Sequence, residues 1–327
     1  MSARHFESIV LDYAEAAETP ELLDNLSTVV GNGKYLWTAS DEGRTVECLK
    51  IDGDRYRFHR QICLDDVFKD IPGRKDSEET DIESIDIADG RLWVCGSHCR
   101  VRKKPDKDTP SVLKPDIVSR RSRCLFGSID LKRNGGALVA AGKTLPFEGK
   151  GSLRERLAKN PFLSDFINLP SKENGLDIEG MVIVKDKIML GLRGPLIDSF
   201  AVVIEVPIKD ALRIGGDEPV IHFLNLGGLG VRDLAHFGSD LLVLAGPVSS
   251  AVGPFRIHRW RPRATDAVQD LDEPILDDWT SDGEKPEGIC CLKYQGGDGI
   301  LIVYDKPNHR RRIRANRYIA DWFRLPD

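Results

Sequence analysis

The chain has 327 residues, with 47 Lys and Arg against 52 Asp and Glu, and so a net charge of −5. With 30% charged and 41% hydrophobic residues it is neither a disordered tail nor a collagen-like fibre, and its mild acidity argues against nucleic acid as a partner. No window holds ~18 uninterrupted apolar residues and the first ten residues lack the apolar core of a secretory signal, so the reading is a cytoplasmic globular protein without a membrane segment.

Along the chain, short apolar runs alternate with turn residues. Phe6–Leu11 reads as a strand. Leu26–Ala39 reads as two strands around Asn32-Gly33, and Glu83–Gly96 as two strands around Asp89-Gly90, both strong hairpin signals. A basic stretch follows, Arg102–Lys107 with Arg120, Arg121 and Arg123, which reads as a solvated loop or a cover over a channel mouth. Ser152-Leu-Arg-Glu155 is a capping box, and Asn160-Pro161 reads as a second cap and first turn, giving a short helical insertion around residues 151–167.

Further hairpins follow at Glu179–Gly191, at Asp233–Gly246, and at Glu287–Val303 with Asp298-Gly299 read as its turn. Phe200–Val206 and Phe255–Trp260 supply strands outside these hairpins. Gly227-Gly-Leu-Gly230 lacks the Lys-Ser/Thr of a phosphate loop. The basic run His309–Arg314 reads as an outer strand whose charges prevent edge pairing.

These hairpins share one template: an acidic residue, a short strand, a polar turn and a second apolar strand. The copies start at Asp24, Glu83, Glu179, Asp233 and Glu287, spaced by 59, 96, 54 and 54 residues. Four short antiparallel strands need about 40–50 residues, the size of a propeller blade. The expected fold is therefore an all-β propeller of five or six blades, forming a single domain over residues 1–327. The long second gap, from 83 to 179, holds either one blade with a helical insertion or two blades. Phe6–Leu11 is expected to pair with strands near Ile313–Trp322 and close the ring, because an open edge would be a liability.

In a propeller the innermost strands line a central channel, so the five recurring acids are expected to converge near one mouth. Clustered carboxylates must take up protons, pair with cations or bind metal, and hard oxygen donors suit calcium or magnesium. Glu83, Glu179, Asp233 and Glu287 are the expected metal set, with Glu179 and Asp233 also positioned to activate water. The alternative is that each acid serves its own strand start. The second-strand ends, Asp41-Glu42, Ser97-His98, Arg193, Pro247 and Tyr304-Asp305, are topologically equivalent and read as a shared rim. Arg193, Lys172, Arg232 and Lys285 are the expected substrate-binding cations, or else ion-pair partners of the acids. His98 is a candidate general base. Ser97 lacks a G-x-S-x-G elbow. The seven cysteines form no disulfide or zinc spacing and read as buried thiols.

Pro170–Met181 with Leu190–Pro195, Arg232-Asp233, Gly96-Ser-His98 and Lys285–Gly288 resembles a bacterial family of uncharacterised propeller proteins, itself similar to the esterase-like domain of certain phytases. The resemblance implies a β-propeller and phosphoester chemistry. The expectation is a metal-assisted phosphoester hydrolase acting on a small anionic molecule. The alternatives are a non-catalytic module binding a small anion or a protein partner, and a calcium-dependent lactonase-like propeller.

Overall fold

The computed structural model describes residues 6–325 except 15, 17–18, 74–78, 132–141, 214–217, 263–266, 281–282 and 315. Its strands fall into successive antiparallel units, each numbered here from its innermost strand outward. Unit 1 is Leu26–Asn32, Tyr35–Ser40, Thr45–Asp52 and Arg55–Cys63. Unit 2 is Ile82–Ala88, Arg91–Gly96, Phe126–Asp130 and Gly142–Thr144. Unit 3 is Asp177–Val184, Lys187–Gly194, Ala201–Pro207 and Val220–Asn225. Unit 4 is Gly230–Phe237, Asp240–Gly246, Arg256–Trp260 and Leu276–Asp277. Unit 5 runs Lys285–Tyr294, Gly297–Asp305 and Arg317–Arg324, and its outermost strand is Phe6–Asp12 from the opposite end of the chain.

That last pairing closes the ring as expected. Phe6 lies opposite Phe323 and Asp12 opposite Arg317, so the two ends of the chain zip into one sheet. Val10–Asp12 also pairs in parallel with Arg55–Arg57, which joins units 5 and 1 at the outside. In the long second gap, Ile82–Ala88, Arg91–Gly96, Phe126–Asp130 and Gly142–Thr144 make a single sheet, with a separate two-stranded arm, Arg100–Arg102 and Ile117–Ser119, inserted in it.

Five apolar clusters fill the spaces between neighbouring units in cyclic order. Trp37, Val46 and Val94 pack between units 1 and 2; Trp93, Phe126 and Leu190 between 2 and 3; Val203, Leu234 and Trp260 between 3 and 4. Leu244 meets Ile302 between units 4 and 5, and Leu49 meets Trp322 between 5 and 1. Period-two alternation places these side chains on both faces of each sheet, which reads as nearly unbroken apolar strands. Each sheet is thus a wedge held on two sides, the arrangement of a β-propeller.

Several local expectations hold. Asp89 and Gly90 both adopt positive φ, 50° and 72°, as a two-residue primed turn requires. Ser152 caps Leu153–Leu157, its Oγ accepting from Glu155 N at 3.2 Å while Glu155 Oε2 accepts from Gly151 N at 3.0 Å. Three expectations do not. In unit 1 the turn is Gly33-Lys34, and Asn32 ends its strand opposite Tyr35. Asn160 Oδ1 accepts from Phe162 N, but residues 161–168 form consecutive turns and no helix. In unit 5 the turn is Gln295-Gly296, with φ of 46° and 78°, and Asp298-Gly299 lie inside the following strand. All seven cysteines are free, five of them buried.

Candidate functional site

Each innermost strand carries a β-bulge at the same level. The register slips between Leu26 and Thr28, Ile82 and Ser84, Ile178 and Gly180, Val231 and Asp233, and Pro286 and Gly288. A bulge leaves one residue outside the ladder and re-aims its side chain. The bulged residues are Ser27, Glu83, Glu179, Arg232 and Glu287, and all five line one cavity of about 250 Å³ at the channel mouth.

The ring is therefore Ser, Glu, Glu, Arg, Glu, which corrects two expected members. Asp24 is half exposed and ion-paired with Arg312 at 2.5 Å, away from the cavity. Asp233 sits one residue past its bulge, where it accepts from Leu234 N and Ile289 N, both at 2.8 Å. The expected template placed unit 4 one residue out of register, because an arginine stands where the other units carry an acid or a serine.

The residues just past the bulges seal the channel. Thr28 Oγ1 accepts from Ile85 N at 3.3 Å in the next unit, Ser84 Oγ accepts from Met181 N at 2.8 Å, and Asp233 reaches Ile289 N. The other two junctions use glycine. A Cβ on Gly180 would lie 2.9 Å from Leu234 N, and one on Gly288 would lie 2.9 Å from Thr28 Cα. Each unit thus touches the next at this level, by a side chain or by bare backbone. Deeper in the channel, Asp86 Oδ2 accepts from Ile183 N at 2.7 Å and faces His236 Nε2 at 3.2 Å across the bore.

Above the seal the cavity is charged. Arg193, itself the unpaired residue of a slip on the second strand of unit 3, bonds Asp177 and holds Glu179 Oε1 at 2.7 Å. Arg232 bonds Glu287, and its Nε lies 2.9 Å from Glu179 Oε2 in an ion pair whose angle makes no hydrogen bond. Glu179 is thus clamped between two guanidinium groups, yet burial still pushes its carboxyl up to about 8. Both arginines stay charged.

The remaining acids lack such partners. Glu83 makes no hydrogen bond or ion pair with a described residue; burial, then Asp81, Glu179, Asp41 and Asp177, push it well above the usual carboxylate range. Asp41 Oδ1 and Asp305 Oδ1 are buried without a hydrogen-bond partner. Burial, then Asp81, Asp305 and Glu287, raise Asp41 to about 8. Asp305 is raised by burial and Glu287, with Lys306 at 3.5 Å opposing.

Cations gather on the rim. Lys172 is held below the usual ammonium range by burial and then by Arg193, Lys285, Lys306 and Lys104. Lys104, Lys172, Lys285 and Lys306 all line this same cavity, where like charges act on one another over short range. Lys104, Lys172 and Lys285 make no ion pair with a described residue. The expected binding cations thus divide: Lys172 and Lys285 are free at the rim, while Arg193 and Arg232 are spent on buried acids.

His98 does not line this cavity. It is buried at a φ of 55°, its Nε2 is 3.2 Å from Leu125 O, and burial lowers it to about 3, so it stays neutral. Its neighbour Ser97 donates to Asp81 and accepts from Cys99 N at 3.2 Å, positioning that acid. Of the expected metal set, Glu83 has no hydrogen-bond or ion-pair partner among the described residues, and the other three do. Asp233 has given both oxygens to amides, and Glu179 and Glu287 face arginines. Among the described residues no group of three or more His, Cys, Asp or Glu side chains is arranged for a metal ion.

Sequence reasoning missed Asp81, Lys306 and the inward placement of Lys104 and Arg123. The first was visible as a repeat: Asp81-Ile82-Glu83 recurs as Asp177-Ile178-Glu179, two acids straddling one residue at the same strand start. Arg123 pairs with Asp81 at 3.1 Å and also bonds Glu79, so it belongs to the mouth and not to a solvated loop.

A family model spanning residues 25–321 matches this sequence. The chain belongs to DUF3616, a family described as proteins of unknown function. No curated protein sequence matches it. Among solved structures, it is similar to a glutaminyl cyclase from Myxococcus xanthus at 11% identity, with 97% of this chain and 100% of that one covered and a TM-score of 0.43. It is also similar to a streptogramin B lyase, at 8% identity, 98% coverage of both chains and a TM-score of 0.40. An exo-β-1,3-galactanase from Phanerochaete chrysosporium is similar at 10% identity over 92% of this chain and 60% of that one, with a TM-score of 0.46. Among the described residues, no helix is long and apolar enough to cross a membrane.

Proposed function

We propose that the chain is a single-domain, five-bladed β-propeller that binds a small anionic molecule at the mouth of its channel. The observation that carries this reading is the convergence of Lys104, Lys172, Lys285 and Lys306 on one rim, the first three without an ion-pair partner among the described residues. Like charges held together without a counter-ion cost free energy, and an anionic ligand supplies that counter-ion. Lysine contributes a compact point charge suited to phosphate or carboxylate. Arg193 and Arg232 act from below, keeping Glu179 and Glu287 paired so that the floor does not repel the ligand.

A thermal-shift series of phosphate, sulfate, a sugar phosphate and the matching neutral sugar tests this reading. The anions should raise the melting temperature in a salt-sensitive way and the neutral sugar should not. Equal shifts, or none, would remove the proposal.

Asp41 favours a second, catalytic reading of the same site. A carboxyl titrating near 8 inside a polar cavity keeps its proton at neutral pH and suits general acid catalysis. In phosphoester hydrolysis, water would attack phosphorus as the P–O bond to the leaving group breaks; Asp41 gives its proton to the leaving oxygen, and the proton lost by the attacking water restores Asp41. This reading routes no step through a metal; of the expected metal donors, Asp233, Glu179 and Glu287 have protein partners, while Glu83 has none among the described residues. Release of phosphate from an aryl phosphate, lost in Asp41→Asn, would support it. Wild-type protein without turnover would leave the binding module.

A further inference from the structure

Beside the mouth lies a second cavity of about 470 Å³, bounded by residues 101–104, Val118, Arg120, Arg123 and the turn Pro170–Glu173. It sits under a two-stranded arm, Arg100–Arg102 paired with Ile117–Ser119. Arg102 pins the arm: its guanidinium grips Glu173 with two nitrogens and donates to Lys114 O at 3.0 Å and Pro115 O at 2.9 Å. Glu79 is likewise spent on Arg120 at 2.8 Å and on Arg123.

The two cavities share a wall. Val101, Lys104, Arg123, Ser171 and Lys172 border both. Their characters differ, however. The mouth is lined by charged groups, whereas the arm cavity offers Val101, Val118 and Pro170 as apolar surface beyond the shared lysines. With both its acids engaged, its free charges are cationic.

We propose that the ligand is an amphipathic anion, with its charged head between Lys104 and Lys172 and its apolar body under the arm. This rests on the anion-binding reading above and adds the chemical class of the ligand. A head at the shared wall lets one molecule satisfy the lysines and cover Val118 and Pro170 together. A purely polar anion would leave the arm cavity empty. Burying each methylene adds favourable transfer free energy, so affinity should grow with chain length.

The test is calorimetric titration of the full chain with inorganic phosphate and hexyl phosphate, and with acetate and hexanoate. At least one hexyl compound should bind tenfold or more tightly than its short counterpart, and the pair that gains identifies the head group. Val118→Asn and Pro170→Ser, each checked for an unchanged melting curve, should bring the long and short affinities together. Binding of the short anions with no gain from either hexyl chain would overturn this inference and leave the anion site standing. Binding of none of the four would overturn both.

Discussion

Two layers of the channel, one residue apart in every inner strand, use the same kinds of side chain to opposite ends. At the seal, Asp233 gives both oxygens to amides and Thr28 and Ser84 reach the next unit, while Gly180 and Gly288 let backbones meet. At the bulge layer, Glu83 has no partner among the described residues and Glu179 and Glu287 depend on two arginines. A buried carboxylate whose oxygens are all taken holds the fold together. One whose oxygens face a cavity is available for chemistry. The bulge makes that separation, by turning one residue of each strand out of the ladder into the channel.

The comparison breaks most sharply if the clamp is removed. Arg232→Met strands Glu287 in a buried site and leaves Glu179 to Arg193 alone, and should destabilise the fold by about 3–5 kcal/mol, measured by denaturant unfolding. A loss below 1 kcal/mol would show that the two acids are simply protonated. Gly180→Ala tests the seal itself. The added methyl meets backbone atoms of Leu234 and Asp233, which cannot rotate away, so a loss of roughly 1–3 kcal/mol is expected. Gly33→Ala is a poor control because φ there is positive; Gly43→Ala, with ordinary contact distances, should cost little.

A smaller effect separates the layers by pH. Asp41 binds its proton more tightly folded, at about 8, than at its ordinary 3.8. Its contribution to stability is therefore fully present below pH 3.8 and is lost as pH rises to about 8. Asp41→Asn should melt like wild type near pH 4 and about 3 °C higher at pH 9. An equal difference at both pH values would contradict the assignment. Smallest of all, Lys172→Ala should leave stability within about 0.5 kcal/mol, since it removes an exposed, unpaired charge.

Much of the fold was legible because a repeat copies its strands. The hairpins, the ring and the closing role of Phe6–Leu11 follow from short apolar runs at regular spacing. The site was half legible. The acids at 83, 179 and 287 stand at a recurring strand start, and Asp41 and Asp305 stand at recurring second-strand ends. Unit 4 was misread because the bulge position, not the acid, is what repeats. Arg232 occupies it, and Asp233 beside it mimics the pattern. Asp24 was misread for the same reason, since unit 1 places Ser27 there. Lys104 and Arg123 come from an irregular arm whose path no periodicity reveals. His98 looked chemical because a histidine after a strand invites that reading, and only its burial shows otherwise.

The most direct measurement of the central claim is a phosphate titration of the Lys172→Ala, Lys285→Ala double variant beside its melting curve. The free rim lysines should prove dispensable for folding and needed for the ligand, so the melting temperature stays within about 1 °C while phosphate affinity falls at least tenfold. A lowered melting temperature with unchanged affinity would place these lysines in the scaffold and contradict the account.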